Sequence, residues 1–177
     1  HGASRTGTLG RLFGHASEPV VELHPSDLQR LRVAAGALVT LKSRRGSIVL
    51  PSAASESVAP AQAFVAMHWG SEFMVGAGVN ALTTGAFCPQ SKQPELKHAA
   101  VKITKAELPY RVMARAWLDA DTALTRRAQV LQLLSDLPYA ACVPFGREPD
   151  DKVGVWLHAA SAEPLTDGVL TRIEMLL

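Results

Sequence analysis

Three stretches of the 177-residue chain hold side chains that could do chemistry. The first, HGASRTGTLGRLFGH at residues 1–15, sets His1, Ser4, Arg5 and Thr6 beside Gly2 and Gly7, ahead of the apolar Leu9, Leu12 and Phe13. Hydroxyls and a guanidinium donate hydrogen bonds, and glycine lets backbone approach a ligand closely. The second, MHWGSEFMVGAGVNALT at 67–83, sets His68, Trp69, Asn80 and Thr83 among glycines. The third, CPQSKQPELKHAAVKI at 88–103, presents Ser91, Lys92, Gln93 and Lys97 around two prolines and ahead of a strand. Amide, hydroxyl and ammonium donors of this kind suit a nucleobase or a phosphate. No paired carboxylates at productive spacing, metal-binding cluster or GxSxG accompany them, and the glycines after Val75 do not follow a strand as a dinucleotide fingerprint requires. Taken singly each stretch also has an ordinary reading: a loose polar terminus, a structural His beside Trp, a solvated Lys in a Pro-bounded loop.

Composition limits what such donors can serve. With 47% hydrophobic and 19% charged residues the chain is an ordinary globular sequence, large enough for one good core or two small ones. No apolar run approaches the roughly 20 residues of a membrane span, and the N-terminus lacks the basic-then-apolar layout of a secretory signal, so a cytoplasmic location with no membrane partner is expected. Cys88 and Cys142 stand far apart without CxxC spacing, which reads as two buried free thiols. The net charge of +2 is unevenly spread: residues 1–105 carry eleven Lys/Arg against six Asp/Glu, and 106–177 carry seven against ten. A modest basic bias with only 6% aromatics suits a compact anionic ligand, and no nucleic-acid partner is expected.

The elements that must position these loops follow from pattern. VVELHPSDLQRL predicts a strand at Val20–Leu23 running into a short helix capped by Ser26, with Gln29 reaching back. ALVTLKSRRGSIVLPSA alternates as a hairpin, Val39 and Leu41 opposite Ile48 and Leu50, bending at Arg45-Gly46. QAFVAMHW and AAVKI, at 99–103, supply two further strands, and the set indicates a compact β-barrel with its core carried within 18–105. Beyond Pro109 the pattern predicts a β-α-β-α unit: a strand in YRVMARAWL, and a helix over 122–137 behind the cap Asp121. The apolar face of that helix is expected to be Leu124, Ala128, Leu131, Leu134 and Leu137. A strand in KVGVWLHAA and a last helix in LTDGVLTRIEMLL, which lacks a polar C-cap or glycine, complete the unit. A piece of about 70 residues is marginal alone and is expected to pack on the first or on something outside this chain.

The ordered set HGASRTGTLGRL, SRRGSIVLP, MHWG, VNALT and SKQPELKHAAVKI resembles the C-terminal dinucleotide-binding domain of molybdopterin oxidoreductases, over roughly residues 1–105. Within that superfamily it is most similar to the assimilatory nitrate reductase catalytic subunit of bacteria, and formate dehydrogenases carry a related domain. The resemblance implies a mainly β fold with α, in which residues 1–107 form a six-stranded double-psi β-barrel and 108–177 a small α+β extension. The barrel would close over bis(molybdopterin guanine dinucleotide). His1, Ser4, Arg5, Thr6 and Gly7 would line the cofactor, Asn80, Gln93 and Lys97 would complete its pocket, and His68 and Trp69 would pack the wall. Family members commonly have Asp where Cys88 stands, so the resemblance does not carry a polar role over to this position. The iron-sulfur cluster and the molybdenum ligand would lie upstream of His1, so the fragment would not turn over by itself. The partners implied are the remainder of the nitrate reductase subunit and an electron donor protein or flavin reductase. Double-psi barrels also include self-processing decarboxylases, for which Gly46-Ser47 and Gly70-Ser71 are available, and non-catalytic binding modules.

Overall fold

A computed structural model of the protein describes residues 18–95, 98–147 and 152–177. The chain enters through β1 (Val21–Leu23) and turns at once into α1 (Pro25–Leu31). Pro25 decides where that helix starts. Its missing N–H and preset φ suit the first helical position, and it forces His24 into the extended conformation that an N-cap needs. His24 Nδ1 therefore accepts from the Ser26 amide at 3.2 Å, and the expected cap at Ser26 is corrected to His24. Asp27 is buried on the inner side of the helix. It accepts from Arg30 at 2.9 Å and from the Ala61 amide at 2.7 Å, which ties the 55–62 loop down.

The hairpin of β2 (Leu38–Lys42) and β3 (Ser47–Ala54) has the predicted register, Val39 opposite Leu50 and Leu41 opposite Ile48, all four side chains being buried. Alternating apolar residues can bury one face in only one register, which is why pattern sufficed there. β1 runs parallel to β3 and antiparallel to β4 (Ala63–Val65), while β5 (Lys102–Lys105) pairs antiparallel with β2. Only three residues of QAFVAMHW pair, and the last strand lies further along than 99–103, with Ile103 opposite Leu41. The sheet order is β4-β1-β3-β2-β5. Among the described residues no pairing joins β4 to β5, so the sheet is open where a closed six-stranded barrel was expected. The architecture is mixed α/β and mostly sheet.

The second half runs β6 (Tyr110–Asp119), α2 (Ala120–Leu133), β7 (Tyr139–Arg147), β8 (Lys152–Ser161) and α3 (Asp167–Leu176), with sheet order β6-β8-β7. β7 is a strand that the β-α-β-α expectation lacks. YAACVPF is a continuous apolar run, the pattern of a strand buried on both faces, and it offers no alternation to detect. α2 begins behind Asp119 rather than Asp121 and buries Ala123, Arg127, Val130, Leu131 and Leu134. Leu124 and Ala128, placed on the apolar face by their spacing, are exposed. At the end of α3 the carbonyls of Met175 and Leu176 accept from Arg126 of α2, at 3.1 and 3.2 Å, so a neighbouring helix supplies the C-cap that the local sequence lacks.

Two apolar cores result, and β7 faces both. Ala140 and Cys142 join Val130, Leu134, Val155, Leu157 and Ile173 beneath the helices. Tyr139, Ala141 and Val143 of β7, with Ala160 of β8, point the other way and complete the core of the first sheet, against residues such as Leu23, Leu50, Trp69 and Phe73. The first core is thus not carried within 18–105. A polar pin joins the same parts: Glu18 accepts from Tyr139 at 3.4 Å and Trp156 at 3.5 Å, and its carboxylate lies 2.8 Å from Nδ1 of buried His158. No helix among the described residues is long and apolar enough to cross a membrane.

Candidate functional site

The glycine-rich loop after β4 is built around buried Trp69 and Phe73, whose rings meet edge to face at 5.8 Å. The His68 ring packs at a tilt against both, 5.0 Å from Trp69 and 4.4 Å from Phe73 between ring centres. Burial lowers the His68 pKa below its ordinary value against the opposing pull of Glu72, so the neutral imidazole serves as packing. His68 and Trp69 thus pack with Phe73 inside the loop.

Residues 73–75 then run along the free edge of β7. Met74 bridges Ala141, the Cys142 amide donates to the Phe73 carbonyl at 2.8 Å, and the Val75 amide donates to the Ala140 carbonyl at 2.9 Å. From there the chain doubles back over Gly76 and Gly78, both at positive φ. A Cβ on Gly78 would lie 2.4 Å from the Trp69 carbonyl oxygen, so only glycine permits this backbone crossing. The Val79 amide seals it by donating to the Trp69 carbonyl at 3.0 Å. A 3-10 turn, Gly78–Leu82, follows with Val79 and Leu82 buried and Asn80 exposed. Burial of its two neighbours fixes which way Asn80 faces.

The second loop folds on itself. Phe87 bridges Pro94, the Cys88 amide donates to the Gln93 carbonyl at 2.9 Å, and Lys92, at φ +58, lays its ammonium 5.3 Å from the Phe87 ring centre. Cys88 is exposed, which corrects the expectation of two buried thiols, and its Sγ accepts from the Ser91 amide three residues on at 3.5 Å, as a capping side chain does. Hydrogen bonds from Ser91 and Gln90 lower the thiol pKa below its ordinary value. Gln93 is exposed beside this turn.

Of the residues singled out in the sequence, His1, Ser4, Arg5, Thr6, Gly7 and Lys97 lie outside the described residues. Asn80 and Gln93 sit on separate loops, both exposed, and among the described residues neither side-chain amide is taken up by another group. A feature missed in the sequence is the β2–β3 turn. A Cβ on Gly46 would lie 2.8 Å from the Ala81 carbonyl oxygen, so the exposed Arg44 and Arg45 immediately precede a contact with the Asn80 turn. The SRRG motif was visible, but its proximity to a residue 35 positions on was not. The donors gathered around these loops are amides, hydroxyls and cations, with glycine where backbone must come close. That set fits a phosphate-bearing dinucleotide. Among the described residues no group of three His, Cys, Asp or Glu could hold a metal ion.

Comparison with known proteins agrees with this chemistry. The family model of the molydopterin dinucleotide binding domain matches residues 1–100. A nitrate reductase of Klebsiella oxytoca is 39% identical over 103 residues, covering 58% of this chain and 12% of that protein. A nitrate reductase of Synechocystis sp. is 51% identical over 63 residues, 36% of this chain and 9% of that protein. The F420-dependent formate dehydrogenase subunit alpha of Methanocaldococcus jannaschii is 36% identical over 104 residues, 56% of this chain and 15% of that protein. The chain therefore spans less than a sixth of the length of each of these relatives.

Proposed function

The chain belongs to the molydopterin dinucleotide binding domain family, whose cofactor is molybdopterin guanine dinucleotide, and from that premise we propose that it serves a molybdenum enzyme reducing nitrate to nitrite. The observation that carries the cofactor reading is the family match over residues 1–100, and the exposed Asn80 amide on its glycine-built turn is consistent with it. The cofactor supplies the two-electron chemistry when bound. The chain's residues bind, orient and exclude water: His1, Ser4, Arg5, Thr6 and Gly7 line the cofactor, with Asn80, Gln93 and Lys97 completing the pocket. In this reading the open sheet is part of a six-stranded double-psi barrel, residues 1–107 and 108–177 are two domains, and the enzyme is cytoplasmic. In the same reading an electron donor protein or flavin reductase would be the source of electrons, and an iron-sulfur cluster would be held elsewhere in the protein. The likeness to a formate dehydrogenase subunit keeps formate oxidation as the second reading.

Lys97 tests the pocket. An ammonium meeting a cofactor phosphate or pterin oxygen in a water-poor cleft is worth about 1.5–3 kcal/mol, so Lys97→Ala is expected to lose roughly tenfold to hundredfold in cofactor affinity. Lys102, exposed on β5, is the control. Molybdenum and guanine nucleotide content, with nitrate and formate turnover, are to be measured for both variants in the complete protein. Equal occupancy and rates would remove Lys97 from the site, and formate turnover without nitrate turnover would select the second reading.

A further inference from the structure

Arg127 is 6% exposed in the middle of the apolar face of α2, an expensive place for a charge. Its Nε donates to the Cys142 carbonyl at 3.1 Å and its Nη2 to the Glu72 carbonyl at 3.2 Å, while the guanidinium lies 5.2 Å from the centre of the Phe73 ring. All three partners are on β7 or on the glycine-rich loop. Burial lowers the Arg127 pKa from its ordinary value, with Cys142 and Glu72 opposing, and a guanidinium remains charged under such a load. One planar fork thus joins the helix, the strand edge and the loop by bonds to main chain. A methionine or leucine would fill the space without making those bonds.

The loop held in this way carries Asn80. From the Glu72 carbonyl, gripped by Arg127, the chain passes through the two hydrogen bonds of residues 73–75 to β7, then through the Gly76–Gly78 crossing, and arrives at the exposed amide. Within the loop the Phe73 and Met74 amides donate to the Gly70 carbonyl and both side chains pack in the first core, while the main-chain bonds that tie residues 72–75 to another element come from Arg127 and β7. We propose that the extension is the platform that holds the 70–82 loop in its cofactor-binding form, with Arg127 as the positioning residue. This rests on the reading of Asn80 as a cofactor donor and assigns the second half of the chain a part in that binding. The benefit is preorganisation: a loop already ordered spends less of its contact energy on ordering when the dinucleotide arrives.

The test uses the complete protein in four forms: wild type, Arg127→Met, Arg127→Lys and Ile173→Ala. The last opens a cavity between α2 and α3 and removes no atom from the loop. Amide hydrogen exchange over residues 70–82 is measured with guanine nucleotide content and melting temperature. Arg127→Met is expected to speed exchange across the loop about tenfold and to lower nucleotide content by at least half. Arg127→Lys, which keeps the charge and fewer bonds, is expected to fall between it and wild type. Ile173→Ala is expected to lower the melting temperature with loop exchange and nucleotide content unchanged. If Ile173→Ala loosens the loop as much as the Arg127 variants for the same loss of melting temperature, the residue is merely structural and the proposal fails. If Arg127→Met does not fold, the Lys variant decides by the same comparison. Wild type without guanine nucleotide would sink the cofactor reading, while the exchange data would still judge the platform.

Discussion

At the scale of single residues, the two cysteines show how environment separates identical side chains. Cys142 is fully buried, and burial pushes its thiol up to about 11 despite Arg127, so it stays protonated and out of reach. Cys88 is exposed, and the Ser91 hydroxyl and the loop amides lower its pKa from the ordinary 9.0. The thiolate is the nucleophile, so reaction speeds up as pH rises through the pKa, and the group with the lower value starts first. Iodoacetamide at pH 7.5 is therefore expected to label Cys88 in the folded protein and Cys142 only after unfolding. Ser91→Ala removes the first of the stabilising hydrogen bonds, so the rate profile of Cys88 should move to higher pH and labelling at pH 7.5 should slow. Peptide mapping of timed samples gives both answers, and an unmoved profile in Ser91→Ala would refute the hydrogen-bond account. This chemistry was only partly readable in advance: the resemblance puts Asp where Cys88 stands, and the fold shows what that position does, since Sγ takes up the Ser91 amide as a capping side chain would.

At the scale of elements, the glycine-rich loop makes a sharper prediction because its two positive-φ glycines differ in what surrounds them. Gly76 has open space where a Cβ would go, so Gly76→Ala meets only the backbone penalty, about 1 kcal/mol. Gly78→Ala adds a collision with the Trp69 carbonyl and the Gly70 backbone, neither of which is a side chain that could swing aside, and is expected to cost more than about 2 kcal/mol. Denaturant midpoints for the two variants should rank in that order, and equal losses would contradict the tight crossing. The sequence suggested that these glycines admit close approach but not what approaches; here one backbone strand crosses another. Elements with strict alternation, such as β2 and β3, were legible to the register. Where the rule is non-local the sequence was silent or misleading. The cap of α3 comes from Arg126 on another helix, and the buried face of α2 is offset because Arg127 takes a core position that any hydrophobic count assigns to Leu124.

At the scale of the whole molecule, the question is whether the two halves are independent. Composition divides them, basic before residue 105 and acidic after, and the resemblance covers only the first, so a self-sufficient first core was the natural expectation. It fails because β7 is apolar on both faces. Tyr139, Ala141 and Val143 complete the first core while Ala140 and Cys142 complete the second, and a run apolar at every position carries no mark of serving two partners. Removing 108–177 would uncover the packing around Trp69, Phe73 and Met74. Each such side chain contributes about 1.5–3 kcal/mol by burial, against a typical total stability of about 5–15 kcal/mol. The fragment 1–107 is therefore expected to bind a hydrophobic dye and to melt without a sharp transition. The 177-residue chain should instead unfold in one step, with the emission of Trp69, Trp117 and Trp156, which report on both halves, tracking far-ultraviolet circular dichroism. Two separated transitions in the intact chain, or a cooperative melt of 1–107 near that of the parent, would show that the shared strand does not couple the halves. Agreement of the two probes would mean instead that neither half melts alone, because the half that the family match does not cover completes the core of the half that it does.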